Sequence, residues 1–448
     1  MIPNIGELAV HISKWDISQK RKNKWKQGRY EAMDYYKGNT NEYVSKYFSS
    51  STLSKVVTGN VNVCKRVIDR ISLVYMTPPK RIYTNEDTPN LFLNKDLKLQ
   101  RLERITNLLD GVLLKPCWRI GEDGTGTIEY DIIWDYEPIF DDDPLKPTAI
   151  IYPIAKKSSV LDTTPELWAY WDSESHFIFD ADGKHYTNDD NPDMFNPYGR
   201  LPFIECYREG KPEMDYLDTN ASNDLIATNL SINVAETNKN ANVMFQSFGY
   251  MFVNGAGIDK DTMQIGQDKI NFLGVDGSIS IVSPPNAIPA LDESIKSSYK
   301  MLAQNYHLPT GFVEGNTQAE SGVALRMRNQ ELTDDRKSDV TRWRDIEYEL
   351  FELEKLMIAV ELGKDAGDLE DVDFEESIDV LSDQEQRDKW EWELSKGLID
   401  VADILMQKNP DLTREEAEEL LAEKKAPVTE EEAGPESALL QALEKPVE

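Results

Sequence analysis

The feature that most constrains the fold is a row of six apolar residues that recur at alternating spacings of three and four. The row comprises Trp343, Ile346, Leu350, Leu353, Met357 and Val360. This spacing keeps apolar side chains on one face of a helix, and it predicts a single helix from Ser321 to about Glu361. At 1.5 Å per residue, roughly 40 residues span about 60 Å. We expect a strut of this length in a subunit of a large assembly, or in a helical scaffold or adaptor that offers the row to partner helices.

The chain is acidic, and its negative charge is concentrated towards the C-terminus. Its 448 residues include 81 acidic and 49 basic residues, for a net charge of −32. This balance excludes a DNA binder that works through a cationic surface as a whole. From Glu361 onward the sequence holds 28 acidic and nine basic residues. Two helices are expected in this tail, because Ser382 with Glu385 and Thr413 with Glu416 form capping-box patterns.

Sequence signals for membranes, disulfides and enzymes are weak. The sequence contains no run of 18 predominantly apolar residues, so it predicts no membrane span. Its N-terminal residues lack the apolar core of a secretory signal. Cys64, Cys117 and Cys206 lie far apart, which favours a reducing compartment. No P-loop motif occurs. We therefore expect neither a cofactor nor an enzymatic activity.

The best candidates for metal ligands are three consecutive carboxylates, Asp141, Asp142 and Asp143. Clustered carboxylates attract hard cations. Together with Asp135 they define an alternative function, a metal-dependent nuclease or hydrolase. The competing interpretation is an acidic turn before Pro144.

The N-terminal part of the sequence, 1–216, predicts an α+β domain. Helices are expected over residues 7–37, 61–75 and 97–114, the last ending before Pro116. Strands are expected over residues 117–120, 127–134, 149–155, 167–171, 176–179 and 203–207. The glycine-rich residues 121–126 lie between two of these strands, so they predict a hairpin turn rather than a phosphate-binding loop.

The first predicted helix is rich in basic residues. They are Lys20, Arg21, Lys22, Lys24, Lys26 and Arg29. In so acidic a chain this group is a candidate inter-subunit patch, which would contact an acidic neighbour or nucleic acid. The alternative is an ordinary solvated helix face.

The helix predicted over residues 217–244 is unusually polar, with seven asparagines between residues 220 and 242. Ile226, Leu230 and Val234 nevertheless keep a spacing of four. We expect such a helix to face water on one side and like subunits on the others, the alternative being a surface helix with a thin apolar stripe. A small β-rich insert over 245–286 precedes a second helix that carries Lys296 and Lys300 four residues apart.

The order of elements, combined with several short strings, points to a known family. The order is α+β domain, polar helix, β insert, helix, polar loop, long helix and acidic helical tail. The strings are Tyr35-Tyr-Lys-Gly38, Asn62-Val-Cys-Lys-Arg-Val-Ile-Asp-Arg-Ile-Ser-Leu-Val-Tyr-Met-Thr-Pro-Pro79, Asn196-Pro-Tyr-Gly-Arg-Leu-Pro-Phe203, Ser321-Gly-Val-Ala-Leu325 and Lys396-Gly-Leu-Ile-Asp400. Over nearly its whole length the chain resembles a tailed-bacteriophage portal protein, of the group typical of Gram-positive siphophages.

The resemblance implies a portal fold with four regions and a tunnel loop. The wing would comprise residues 1–216 and the long helix 321–361, the stem helices 217–244 and 287–307, the clip 245–286, the tunnel loop 308–320 and the crown 362–448. The implied tunnel-loop residues are Phe312, Val313, Glu314, Gly315, Asn316, Thr317 and Gln318. The expected channel-lining residues of the stem are Asn233, Lys239, Lys296 and Lys300, and the long helix would open with Ser321, Gly322 and Leu325.

The resemblance also implies a function and a set of partners. Portal proteins form rings, usually of twelve copies, at one vertex of the capsid in the virion, after assembly in the host cytoplasm. Double-stranded DNA passes through the ring during packaging and ejection without sequence recognition. The implied partners are the terminase large subunit, the major capsid and scaffolding proteins, and a head–tail adaptor.

Overall fold

The structure is a computed structural model that describes most of the chain in two compact units. The described residues are 17–53, 56–121, 124–155, 166–186, 191–219, 222–246, 250–254, 278–282, 287–309, 322–374, 383–408, 413, 414, 416–418 and 421. The large unit comprises residues 1–317 and 328–377, and the small unit comprises 318–327 and 378–448.

Helices and strands alternate in irregular groups. The helices are α1 (Ile17–Lys37), α2 (Asn41–Ser45), α3 (Ser50–Leu53), α4 (Val63–Ile71), α5 (Lys95–Leu109), α6 (Asn223–Gln246), α7 (Ile288–Asn305), α8 (Gly322–Leu362), α9 (Asp383–Lys396) and α10 (Val401–Lys408). The strands are β1 (Lys80–Tyr83), β2 (Val112–Ile120), β3 (Gly126–Ile133), β4 (Glu137–Ile139), β5 (Ala149–Ala155), β6 (Leu167–Trp171), β7 (His176–Asp180), β8 (His185–Tyr186), β9 (Ile204–Cys206), β10 (Tyr250–Asn254), β11 (Ser278–Val282) and β12 (Leu369–Asp373). This mixture of helix and sheet confirms the predicted α+β class.

Two antiparallel sheets carry most of the predicted strands. The strand order is β3-β2-β9 in the first sheet and β4-β5-β6-β7-β8 in the second. The predicted hairpin turn is confirmed, because β2 and β3 pair along their full length up to Ile120 opposite Gly126. Trp118 lies across Gly126, where an added Cβ would come within 1.9 Å of the indole. Glycine is therefore required at this position by packing.

The prediction that a helix continues from residue 97 to residue 114 is wrong at its C-terminal end. Helix α5 ends at Leu109. Asp110 (φ 47°) and Gly111 (φ 103°) both have positive φ angles, which are incompatible with a right-handed helix and therefore end it. Strand β2 follows and includes Pro116 opposite Tyr130. The apolar run after the glycine fits a buried strand as well as a helix, so periodicity alone did not distinguish them.

Helix α8 is confirmed as one long helix, but its apolar row is buried within the chain itself. Trp343, Leu350 and Leu353 are at most 2% exposed and belong to the main core, together with side chains of α4 and α5. Val360, at 42% exposure, marks the end of the buried face. The scaffold hypothesis required this row to be free for partner helices, and the burial of the row contradicts it.

Two buried carboxylates of α8 are neutralised by cations from β1 and α5. Arg81 donates to Glu347 (Nη2–Oε1 2.6 Å), as does the Tyr75 hydroxyl at 2.9 Å. Lys95 donates to Glu354 at 2.8 Å. Burial opposes ionisation of both carboxyls, yet Lys95 and Arg81 outweigh it at Glu347 and hold its pKa below the usual value, whereas burial raises the pKa of Glu354. The network therefore ties α8 to β1 and α5 through charges that need each other.

Strands β1 and β12 form a two-stranded antiparallel sheet that the sequence analysis missed. Lys80 pairs with Asp373 and Ile82 with Asp371, although most of the chain lies between the two strands. Val372 and Phe374 are buried in the main core of the large unit. The boundary predicted at residue 362 is therefore too early, since the large unit continues to residue 377.

The small unit contains the helices α9 and α10 and a short turn of helix after residue 413. The predicted capping box at Thr413 is present, because its backbone N–H donates to the Glu416 carboxylate at 2.9 Å and its hydroxyl accepts from the Glu416 N–H. The other predicted box begins at Ser382, which lies outside the described residues. Arg414 bridges Asp400 and Asp403. In the described part of the chain, no helix is both long and apolar enough to cross a lipid bilayer.

Candidate functional site

Helices α6 and α7 form an antiparallel pair, with the paired strands β10 and β11 between them in sequence. Lys239 of α6 donates to Asp292 of α7 at 3.1 Å, near one end of the pair. At the other end, the Tyr306 hydroxyl donates to Asp224 at 2.8 Å. Strands β10 and β11 connect to the helices at the Lys239 end. They are antiparallel, with Tyr250 opposite Val282 and Asn254 opposite Ser278. The described part of the insert is thus β-structured, as the sequence predicted.

A ladder of side-chain to backbone hydrogen bonds attaches α6 to residues 57–64, which comprise the segment before α4 and the first two residues of that helix. The backbone N–H groups of Gly59, Val61 and Cys64 each donate at 2.8 Å to a side chain of α6. The acceptors, in the same order, are Thr237, Asn233 and Asn229. Asn229 also donates to the Val61 carbonyl at 2.9 Å, and Asn240 to the Val57 carbonyl at 3.0 Å. We call this set the α6 ladder.

The geometry of helix and strand explains the spacing of the α6 ladder. Four residues of an α-helix rise about 6 Å, and two residues of extended chain rise about 6.6 Å. Acceptors at positions 237 and 233 therefore face the N–H groups of Gly59 and Val61, which lie two residues apart in the segment before α4. The third acceptor, Asn229, meets the N–H of Cys64 in the first turn of α4, where helices leave backbone N–H groups without an internal partner.

The α6 ladder corrects the interpretation of the polar helix. Asn229, Asn233 and Thr237 are completely buried, so their polarity satisfies the chain's own backbone and does not face water or a like subunit. The prediction that Asn233 lines a channel is wrong, because its side chain has no solvent-accessible surface. The repeat of hydrogen-bonding residues every four positions was visible in the sequence. What it lacked was any indication of the partner segment, which lies far away along the chain.

The other predicted stem residues lie at the surface of the helix pair. Lys296 and Lys300 are exposed on α7, and neither forms an ion pair with any residue that the structure describes. Tyr299 lies between them in the sequence and is half-buried. Burial raises the pKa of its hydroxyl, and the positive charge of Arg66 from α4 opposes this shift. Lys239 is instead held by Glu236 at 2.9 Å and Asp292 at 3.1 Å. The exposed cations of the pair are thus on α7.

The predicted tunnel loop and the start of the long helix are only partly described. Residues 312–318 and Ser321 lie outside the described residues. Helix α8 begins at Gly322, one residue from the predicted start, and Leu325 lies in its first turn.

Three of the six residues of the predicted basic patch on α1 form contacts within the large unit. Arg29 is 1% exposed and donates to the Trp134 carbonyl at 2.8 Å. Lys22 is 5% exposed and donates to the Pro138 carbonyl at 2.9 Å. Burial lowers the pKa of Lys22 to about 8, although Glu137 opposes this shift. An inter-subunit role for Lys22 and Arg29 is therefore wrong, because their charged groups are inside the unit.

The structure describes the side chains of two further members of the basic patch, Lys24 and Lys26. Lys26 forms an ion pair with Glu137 at 3.0 Å, and Lys24 is exposed. Lys20 and Arg21 lie within α1. Lys22 and Lys26 thus attach α1 to β4, and Arg29 attaches it to the segment before that strand.

The carboxylates proposed for a metal site do not converge. Asp141, Asp142 and Asp143 are exposed in the loop between β4 and β5, and Asp143 accepts the Leu145 N–H at 2.9 Å, which makes it a turn residue. Asp135 instead accepts a hydrogen bond from Tyr30. Among the described residues, no group of three or more His, Cys, Asp or Glu side chains could hold a metal ion. The geometry therefore favours the acidic-turn interpretation.

Comparison with known proteins identifies the family. Residues 138–429 match the family model described as phage portal protein, SPP1 Gp6-like. The matched region begins in β4 and includes the helix pair, the insert between its helices, all of α8 and both helices of the small unit. No curated protein matched the chain. Since the match covers more than half of the sequence, the chain belongs to the phage portal protein family.

Proposed function

We propose that copies of this chain close into a ring at one capsid vertex, through which double-stranded DNA passes during packaging and ejection. Family membership supports a portal component of the capsid with an oligomeric ring. The observation that carries the proposal is the helix pair α6/α7, anchored on one side by the α6 ladder and exposing Lys296 and Lys300 on α7. We assign this pair to the channel wall.

The chemistry of the exposed surface suits a wall along which DNA slides. On α6 the exposed residues include Ala227, Ser231 and Asn238, which are small or uncharged. A continuous cationic lining would hold phosphates strongly, since each neutralised phosphate adds to affinity through counterion release. Two exposed lysines per copy supply local attraction within a chain whose net charge is −32. This arrangement favours transient contact over tight binding.

The dimensions of such a ring are compatible with DNA. Twelve helices about 10 Å wide give a circumference near 120 Å and a centre-line diameter near 38 Å. After one helix width is subtracted, a bore of about 28 Å remains, compared with about 20 Å for a B-form duplex. The acidic tail would repel DNA and keep it from adhering to the portal. Packaging energy would come from a separate terminase that docks on the ring, with the capsid, scaffolding and head–tail adaptor proteins as further partners.

Electron microscopy of the purified full-length protein tests this proposal. We expect rings with a central hole in views along the symmetry axis, and light scattering is expected to show a mass of many subunits. A strictly monomeric protein at high concentration would refute the ring.

The contribution of the α7 lysines can be tested separately. Lys296→Ala with Lys300→Ala should leave ring formation intact and weaken the retention of duplex DNA by rings at low salt. Lys364→Ala is a matched control because Lys364 is exposed on a loop after α8, outside the helix pair. Equal DNA retention by all three proteins would contradict the assignment of α7 to the channel wall.

A further inference from the structure

The C-terminal end of α7 is held in the main core of the large unit, beside α8. Tyr306 and Leu308, on either side of His307, are buried in that core, as is Leu332 of α8. His307 itself is exposed between them. Because both of its neighbours are buried, the backbone of His307 has a fixed place next to α8.

The backbone around His307 forms a Schellman motif, in which the residue after the helix has a left-handed conformation. The Leu308 N–H donates to the Ala303 carbonyl at 2.8 Å, and the His307 N–H donates to the Gln304 carbonyl at 3.4 Å. His307 occupies the left-handed position, with φ 49°. Glycine adopts this conformation without steric cost, whereas a residue with a Cβ does not. The cost of a histidine here is offset if its side chain makes a favourable contact.

The imidazole of His307 makes such a contact with a carboxylate of α8. Its Nδ1 lies 2.6 Å from Oδ2 of Asp335, and about half of each side chain is exposed. Protonation of the imidazole turns this hydrogen bond into an ion pair, and charge-assisted hydrogen bonds are stronger than neutral ones. The contact between α7 and α8 therefore strengthens when His307 gains a proton.

The surroundings of His307 favour its protonated form. The hydrogen bond to Asp335 and the charge of that carboxylate raise the pKa of His307, and Glu331, one turn earlier on α8, acts in the same direction. Slight burial opposes these effects. The C-terminus of α7 adds the negative end of the helix dipole, which also stabilises a charged imidazole.

Two charged groups from other elements lie near this end of α7. Asp224 of α6 accepts from the Tyr306 hydroxyl at 2.8 Å, and Arg208 of the segment after β9 lies over the Tyr306 ring, 5.2 Å from its centroid. Neither is among the charges that shift the pKa of His307. The two carboxylates of α8 are therefore the charges that control it.

We propose that His307 and Asp335 form a proton-controlled clamp, which holds the C-terminal end of α7 against α8 when His307 is charged and loosens when His307 is neutral. The clamp lies within one copy, so this inference rests on the proposed function only in assigning α7 to the channel wall. In that wall, the clamp controls the attachment of the helix that carries Lys296 and Lys300. Its contribution is complete below about pH 6.5 and is lost as the pH rises through the raised pKa of His307.

The pKa of His307 tests the ion pair. Hydrogen exchange at the imidazole C2 position, followed by mass spectrometry of peptides, measures this pKa in a large protein, and no other histidine follows residue 185. Asp335→Asn should lower the protonation constant of His307 about threefold or more. The matched control Asp334→Asn removes a neighbouring carboxylate that pairs with Lys337 at 3.6 Å, and it should change the constant by less than about twofold. Equal constants in the wild type and Asp335→Asn would overturn the clamp.

Amide hydrogen exchange of residues 302–308 tests the loosening. After correction for intrinsic exchange rates, protection of this segment in the wild type should be about threefold greater at about pH 6 than at about pH 8.5. His307→Gly suits the left-handed position and should lose this pH dependence, as should Asp335→Asn, whereas Asp334→Asn should retain it. Equal protection of the wild-type segment at the two pH values, or an unchanged pH dependence in His307→Gly, would overturn the clamp.

The comparison between variants separates the clamp from other titrations and from the ring. Burial raises the pKa of Glu103 to about 7, so the stability of the whole large unit changes over the same pH range, but it does so equally in every variant. Both measurements use the full-length protein, whether it forms rings or not. Absence of rings would refute the ring without affecting the clamp, and rings in which the α7 segment shows no pH dependence would refute only the clamp.

Discussion

Replacing Asn229 with alanine removes two hydrogen bonds that a completely buried side chain contributes to the α6 ladder. The Asn229 side chain accepts from the Cys64 N–H at 2.8 Å and donates to the Val61 carbonyl at 2.9 Å. Both Asn229 and Cys64 have no exposed surface, so water cannot replace the lost partner without a rearrangement. The variant therefore leaves one buried N–H group unsatisfied in the first turn of α4.

The magnitude follows from the two groups involved. An orphaned buried donor costs about 1–3 kcal/mol, and a further lost hydrogen bond about 1 kcal/mol. We therefore expect Asn229→Ala to lower the free energy of unfolding by about 2–4 kcal/mol. Urea unfolding followed by tryptophan fluorescence measures this loss, and hydrogen exchange should show faster exchange at the Cys64 amide. The matched control is Asn238→Ala on the exposed side of α6, expected to change stability by under about 0.5 kcal/mol.

The result that would refute this reasoning is a loss in Asn229→Ala no larger than that in the control, with unchanged exchange at Cys64. Thr237 provides an independent check, since its hydroxyl accepts from the Gly59 N–H at 2.8 Å. Thr237→Ser keeps the acceptor and should be tolerated better than Thr237→Val, which matches threonine in shape but removes the hydroxyl. Equal stabilities of these two variants would show that packing, and not hydrogen bonding, holds segment 57–64.

Two further predictions concern buried carboxylates of the large unit. Glu347→Gln should destabilise the unit by about 3–5 kcal/mol in urea unfolding, because Arg81 then loses its buried countercharge. The control Glu352→Gln, on the exposed side of α8, should have little effect. Equal losses of stability in the two variants would contradict the role of the charge. Burial raises the pKa of Glu103 from 4.5 to about 7, so its stabilising contribution is complete below about pH 4.5 and is lost as the pH rises through about 7. Between pH 4.5 and 7.5 the free energy of unfolding of the wild type should therefore decline by up to about 3 kcal/mol. This decline should be smaller in Glu103→Gln. Parallel pH profiles of the two proteins would refute the role of Glu103.

Much of the local structure could be predicted because it depends on neighbouring residues. The apolar row of α8 has helical spacing that only a helix can bury on one face, and the helix begins one residue after its predicted start. The hairpin at residues 121–126 and the strands on either side follow from turn chemistry and alternation. The order of these elements, together with several short sequence strings, indicated the portal family, which the match over residues 138–429 confirmed.

What the sequence could not determine was the partner of each polar or charged side chain. Asn233 and Arg29 looked like surface residues, because polarity normally indicates exposure. Asn233 instead accepts the Val61 N–H, and Arg29 donates to the Trp134 carbonyl. Strands β1 and β12 likewise pair although most of the chain separates them. Local patterns specify helices, strands and turns because their hydrogen bonds and apolar faces are set by near neighbours. Whether a polar group is buried depends on distant segments that only the tertiary fold brings together.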